Sequence, residues 1–235
     1  MSEAEIDEFE TEYGRPVDFI SAPDASRDFV DTGLPPILFD YWDRIGFSKF
    51  LGGFFQVINP KDYEGALDAW LGDSKFRGLD RYYAIRMDAF GNMDAFGIKT
   101  GSAFTTSVFF HALLEAAEDD RAAIREGKGN DAIQAVLVRT LPEDVHEDSE
   151  EESIRLFFAA KDKLGDLRHN QIYAPVPAIP LGGQMRIEDL QIVDAPSYLR
   201  MVAEIAPPRV MTMRDLTRLA FGDGAEETLA GLLKK

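Results

Sequence analysis

Residues 34–71 read LPPILFDYWDRIGFSKFLGGFFQVINPKDYEGALDAWL, and no other stretch restricts the fold as tightly. It holds both tryptophans, Trp42 and Trp70. Pro35 and Pro36 are placed to start a helix, because proline fits the first turn, where its missing N–H costs nothing. Ile37, Leu38, Tyr41, Trp42 and Ile45 then share one helical stripe, and Gly46 ends it. After Gly52-Gly53 the run 54–58 is short, aromatic and β-branched, which predicts a buried strand. Asn59 is the expected cap of a second helix with Pro60 at its first position. Tyr63, Leu67, Trp70 and Leu71 form that helix's apolar face. Helix, strand and helix so close together predict a compact packing unit whose aromatics are mostly core. One edge, Trp42 or Phe47 with Phe50, is the candidate for an exposed patch.

The rest of the chain carries weaker punctuation. Residues 81–100 predict two or three short strands, with DAFG occurring at 88–91 and again at 94–97 as a hairpin-like echo. Residues 104–110 read as a strand, 112–126 as a helix, and 131–140 as a short helix with Ile133, Val136 and Leu137 on one side. Ser149 with Glu152 forms a capping-box pattern for a helix over 150–164, with Leu156, Phe157, Ala160 and Leu164 inward. Strands are expected at 171–174, 184–187 and 190–193. Asp194 should cap a helix carrying Leu199, Val202 and Ile205, ended by Pro207-Pro208. Thr212 with Asp215 should start a last helix. The fold class is therefore α+β: mixed helices and short, mainly antiparallel strands in two packed parts.

Charge divides the chain further. The formal net charge is −17. Residues 1–31 hold ten acids against two bases, and residues 143–152 (EDVHEDSEEE) hold seven acids and no base. Everything else is close to neutral. The expected organisation is a mobile acidic leader at 1–14, an N-terminal domain at 15–142, an acidic loop at 143–152, a C-terminal domain at 153–221 and a frayed tail at 222–235. Such a field repels nucleic acid and anionic membranes and attracts basic partners. Taken alone, either acidic segment is equally well read as a solvated linker.

No catalytic constellation is visible. The chain has no cysteine, which excludes disulfides and thiolate zinc sites. His111, His146 and His169 are far apart, so no helical metal pair exists. His111 reads as a satisfied core or edge residue, His146 lies among acids, and His169 has no nucleophile to serve. Lys99-Thr100-Gly101 lacks its companion S-x-x-K, and Gly222-Asp223-Gly224 has no strand before it. Asp88 and Asp94 read as turn caps. The expectation is no catalytic residue, no metal, no cofactor, no nucleic-acid contact and no membrane contact. With no secretory signal and no run approaching the roughly 20 apolar residues of a membrane span, the expected address is the cytoplasm.

Three segments carry a family resemblance: GFSKFLGGFFQVINPKDYEGALDAWL (46–71), RMDAFGNMDAF (86–96) and KLGDLRHNQIYAPVPAIPLGGQMRIEDLQIVDAPSYLRMVAEI (163–205). Together they resemble bacterial GAD-like proteins with the C-terminal domain named for type VI secretion immunity proteins. Gly182-Gly183 followed by Ile187-Glu188-Asp189-Leu190 is the most specific token. Several family members neutralise a DNase toxin, so the resemblance implies an immunity protein with a cognate basic nuclease as partner. The chain departs from the family at Asn170 and Gln171, where an acidic pair is common, and at Pro175. The candidate toxin-binding residues are Glu143, Asp144, Glu147, Asp148, Glu150 and Glu151, joined by His169, Asn170, Gln171 and Tyr173. The alternative is a small-ligand-binding regulator or enzyme using a pocket around the 174–183 loop.

Overall fold

A computed structural model describes residues 2–22, 29, 31–117 and 119–221 of the chain. The 222–235 tail and its Gly222-Asp223-Gly224 lie outside the described residues. The framework is a seven-stranded sheet in the order β1-β2-β3-β4-β5-β6-β9. Its strands are β1 (Lys49–Phe50), β2 (Phe55–Val57), β3 (Tyr82–Asp88), β4 (Met93–Gly97), β5 (Phe104–Ser107), β6 (Ala112–Glu115) and β9 (Arg209–Met211). All neighbours are antiparallel except β6 and β9. A separate ribbon pairs β7 (Gln171–Pro175) with β8 (Leu190–Asp194).

The 34–71 unit folds as its punctuation predicts. Helix α2 (Ile37–Ile45) buries Ile37, Leu38, Tyr41, Trp42 and Ile45, and the Gly46 N–H caps it on the Trp42 carbonyl. Gly46 is required on two counts. Its φ is +64°, and a Cβ there would lie 2.2 Å from the Ile20 carbonyl oxygen. Helix α3 (Pro60–Leu71) starts at Asn59, whose side chain accepts from the Lys61 N–H. The expected exposed edge does not exist: Trp42, Phe47 and Phe50 are all buried.

One sheet face is covered by α2, by α1 (Ser2–Tyr13) and by α5 (Gly129–Leu137), packed on Phe55, Val57, Tyr83, Ile85 and Phe96. The expected mobile leader is thus a docked helix. Ile6, Phe9 and Tyr13 recur at i, i+3 and i+7, and all three are buried. Phe9 stacks on Tyr13 and meets Tyr41 and Phe50 edge-on.

The opposite face is covered by α3 and by α7 (Ala195–Ile205). Trp70 is fully buried there and its Nε1 donates to the Leu199 carbonyl at 3.0 Å. Burial of so large a side chain contributes about 1.5–3 kcal/mol. Strand β9 adds to the sheet beyond the α7 end, so the C-terminal part completes the N-terminal sheet and shares its core. A third cluster seats α6 (Glu152–Leu164) on Phe54, Phe90, Tyr173 and Leu190.

Several expectations fail for identifiable reasons. Residues 112–126 are not one helix. They form β6 and, after a break, α4 (Arg121–Arg125). Ala112-Leu113-Leu114-Glu115 favours helix locally, but pairing with β5 on one side and β9 on the other overrides propensity. Strand β5 stops at Ser107, and His111 takes a φ of +46° in the turn to β6. Residues 184–187 form a turn region, with Arg186 paired to Asp189. The capping box is not made: α6 begins after Glu151 without a side-chain cap, and Ser149 Oγ accepts from the Glu151 N–H. Ile205 is exposed at the end of α7. The last helix, α8 (Met213–Phe221), starts where expected, with Asp215 accepting from the Thr212 N–H.

Candidate binding groove

The helices α1, α2 and α5 cover only the β1–β4 end of their sheet face. Beyond them the face opens into a groove of about 640 Å³. Its floor is polar. Asp94 pairs with Arg139, accepts from Thr105 Oγ1 at 3.1 Å, and lies 3.9 Å from Arg86 Nε. Arg139 also donates to Thr105 Oγ1 and Ser102 Oγ, both at 2.6 Å. Asp94 is therefore an ion-pair centre and not the expected turn cap.

Arg86 is buried and held on several sides. It donates to the Val136 carbonyl at 3.2 Å and to Thr140 Oγ1, and it stacks over Phe55 with its guanidinium 4.1 Å from the ring centroid. Burial holds its pKa below the usual range, and Asp94 opposes that shift. Such a cation is tolerated inside only because carbonyls, a hydroxyl, a ring and a carboxylate surround it.

Asp88 does cap its turn. It accepts from the Phe90 and Asn92 N–H groups at 2.9 and 3.0 Å and from Asn92 Nδ2 at 2.6 Å. Burial pushes its pKa from 3.8 up to about 6 against those hydrogen bonds. Asn92 Oδ1 in turn accepts from the Val108 N–H at 2.8 Å, which anchors the β5–β6 turn. The two DAFG copies thus differ in role. The first is the hairpin turn between β3 and β4, and the second is β4 itself. Gly91 of the first copy has a φ of +88°, and a Cβ there would meet Ile172 at 2.8 Å.

The groove wall is the acidic segment. Residues 142–144 form a short 3-10 turn, and the chain runs on irregularly to α6. Asp144 and Glu151 line the groove. Glu143, Asp144, Glu147, Asp148, Glu150 and Glu151 are all exposed, and among the described residues none is in an ion pair. The segment is tied to α1 through Tyr13, whose hydroxyl donates to the Thr140 carbonyl at 2.8 Å. Burial pushes that phenol up to about 12; Arg86 counteracts, and Glu12 and Glu143 add to the rise. Tyr13 therefore ties α1 to the residues just before the acidic segment.

His169, Asn170, Gln171 and Tyr173 lie elsewhere, and the structure does not bring them to the groove. Asn170 accepts from the Tyr63 hydroxyl at 3.0 Å and donates to Asp62 at 3.3 Å, tying β7 to α3. Gln171 accepts from the Arg168 N–H at 2.8 Å. Tyr173 is fully buried, with its hydroxyl on the Gly165 carbonyl at 2.5 Å, so it offers no surface to a partner. Burial lowers the His169 pKa, opposed by Asp62. The 174–183 loop closes on itself. Leu181 and Gly183 both donate backbone N–H groups to Ala178, and a Cβ on Gly183 would overlap the Pro177 carbonyl at 1.7 Å.

His111 donates through Nε2 to the Ala206 carbonyl at 2.7 Å and packs edge-on against Trp70, while its Nδ1 is buried without a partner. It sits at the sheet edge as its apolar neighbours predicted, but only one of its two ring nitrogens is satisfied, and burial lowers its pKa. Among the described residues, no group of three or more acids and histidines could hold a metal, and no helix is long and apolar enough to cross a membrane.

Sequence reasoning missed Arg86, Thr105, Phe109 and Arg139 as groove residues. The Phe109-Phe110 pair fell inside the expected 104–110 strand, and only the early end of β5 at Ser107 leaves Phe109 exposed.

Residues 4–110 match the GAD-like domain, and residues 141–206 match the family described as T6SS immunity protein Tdi1, C-terminal. The chain joins a GAD-like domain to a Tdi1-type immunity domain. The acidic wall lies at the start of the second match, and most of the groove floor lies in the first. The Tdi1-type match supports a type VI immunity role, which implies binding to a cognate toxin. A solved structure, that of Atu4351 from Agrobacterium tumefaciens, shares the fold. It is 20% identical, with a TM-score of 0.64 over 87% of this chain and 91% of that one. No curated protein matches the chain.

Proposed function

We propose that this GAD-like immunity protein works in the cytoplasm, where it binds a nuclease toxin delivered by a type VI secretion system. It neutralises that toxin by occluding its active site or its DNA-binding surface, and it carries out no catalysis of its own. One observation supports this reading above the others. Six carboxylates between Glu143 and Glu151 stand exposed, without an ion pair among the described residues, on a segment held at both ends, by Tyr13 and by α6. A nuclease must present Lys and Arg to phosphates, and a fixed array of carboxylates competes for that surface. Complementary charge also speeds association, which matters when a toxin must be caught before it cuts.

The test is a titration of DNA cleavage by the cognate toxin, identified by co-purification with this chain. Wild type should abolish cleavage near one equivalent. A chain with Glu143, Asp144, Glu147, Asp148, Glu150 and Glu151 replaced by Gln or Asn should need a large excess. Undiminished cleavage in the presence of excess wild type would sink the nuclease assignment.

A further inference from the structure

Phe109 is 53% exposed, yet its turn is anchored on both sides. Val108 N–H is fixed on Asn92, Phe110 N–H donates to Ser107 Oγ at 3.3 Å, and the Phe110 ring supports Phe109 edge-on at 4.7 Å. An aromatic held rigidly in solvent has little ordering entropy left to lose on binding. It stands at the junction of two openings, the 640 Å³ groove and an adjoining cleft of about 300 Å³. Glu151 lines both openings as well, so an aromatic face and a carboxylate border the same space.

The charge of that space is one-sided. Five carboxylates and two arginines line the groove, and both arginines are already engaged by Asp94. Asp144 and Glu151 have no cationic partner among the described residues, and Glu152 adds a further carboxylate in the cleft. A guanidinium suits such a place better than an ammonium. Its planar face stacks on an aromatic ring while its edge donates to a carboxylate.

We propose that the groove seats an extended segment of the toxin whose arginine inserts between Phe109 and Glu151. This rests on the immunity reading and names the part of the partner that the chain grips.

The test measures Kd for a catalytically inactivated form of that co-purified toxin, using full-length variants checked by thermal melting. Phe109→Leu keeps the apolar bulk and removes the ring face; Phe109→Trp keeps the face; Glu151→Gln removes the charge. Phe109→Leu and Glu151→Gln should each weaken binding about tenfold or more, and Phe109→Trp should stay within about twofold. The double variant should lose less than the product of the two single losses, because both residues grip one group. The absence of cysteine allows a second readout. A fluorophore on an Ala117→Cys chain, at the groove lining, should respond to the toxin, and one on a Leu181→Cys chain should not. Single variants that bind like wild type overturn the arginine seat and leave the immunity reading standing. A wild-type chain that fails to bind overturns both. A change in the chain's own oligomeric state on Phe109→Leu assigns the groove to a second copy and also overturns the proposal.

Discussion

The two acidic segments are alike in composition and opposite in structure. The first, at the N-terminus, interleaves its acids with Ile6, Phe9 and Tyr13 at helical spacing, and that stripe docks α1 on the sheet. Asp7, Glu8 and Glu12 face outward, and Arg44 of α2 pairs with Asp7 and Glu10. The second, 143–152, has only Val145 among seven acids, so it has no face to bury and runs irregularly across the groove rim. Net charge therefore says little about order. The presence or absence of an apolar repeat decides whether an acidic segment becomes scaffold or surface.

Breaking the first segment should cost the most. Phe9→Ala removes a buried ring with three aromatic neighbours and should destabilise the protein by about 3–5 kcal/mol in a urea melt. Replacing all six candidate acids of 143–152 should move the same midpoint by no more than about 0.5 kcal/mol per site. If the second set proves as costly as the first, the contrast between scaffold and surface is wrong.

A half-buried carboxylate at the groove sharpens the contrast through pH. Asp88 binds its proton more tightly folded than unfolded, because burial raises its pKa from 3.8 to about 6. Its stabilising contribution is thus fully present below pH 3.8 and is lost as pH rises through about 6. Wild type should lose stability relative to Asp88→Asn over that window, by up to about 1.4 kcal/mol per pH unit. His111 has the opposite sign. Its lowered pKa means that stability present at neutral pH is lost as pH falls, because protonation would charge the buried, unpartnered Nδ1. Equal pH dependence of wild type and Asp88→Asn would remove Asp88 from this picture.

The smallest expected effect lies where the surface segment becomes helix. Glu151 occupies the N-cap of α6 without making a cap bond. Glu151→Ser should therefore raise stability by about 0.5 kcal/mol in the same melt.

What the sequence disclosed follows from the range of each interaction. The α2–α3 unit was legible because prolines, Asn59, Gly46 and apolar spacing all act locally. Strand β9 was not, since three residues between Pro207-Pro208 and Thr212 become a strand only by pairing with β6. The α1 stripe was present in the sequence but lay beneath the density of acids. The groove floor was out of reach because Asp94, Thr105 and Arg139 meet only after the sheet is assembled, and no spacing announces them. The acidic wall was visible as composition, while its attachment to α1 through Tyr13 needed the fold.

The central claim is that 143–152 is a binding surface on a rigid scaffold, and its most direct test is kinetic. The association rate of the full chain with the inactivated cognate toxin is measured by stopped flow from low to high salt, for wild type and for the chain lacking the six candidate acids. Wild type should associate at least about tenfold faster at low salt and lose that advantage as salt rises. Identical rates and identical salt slopes for the two chains would contradict the claim.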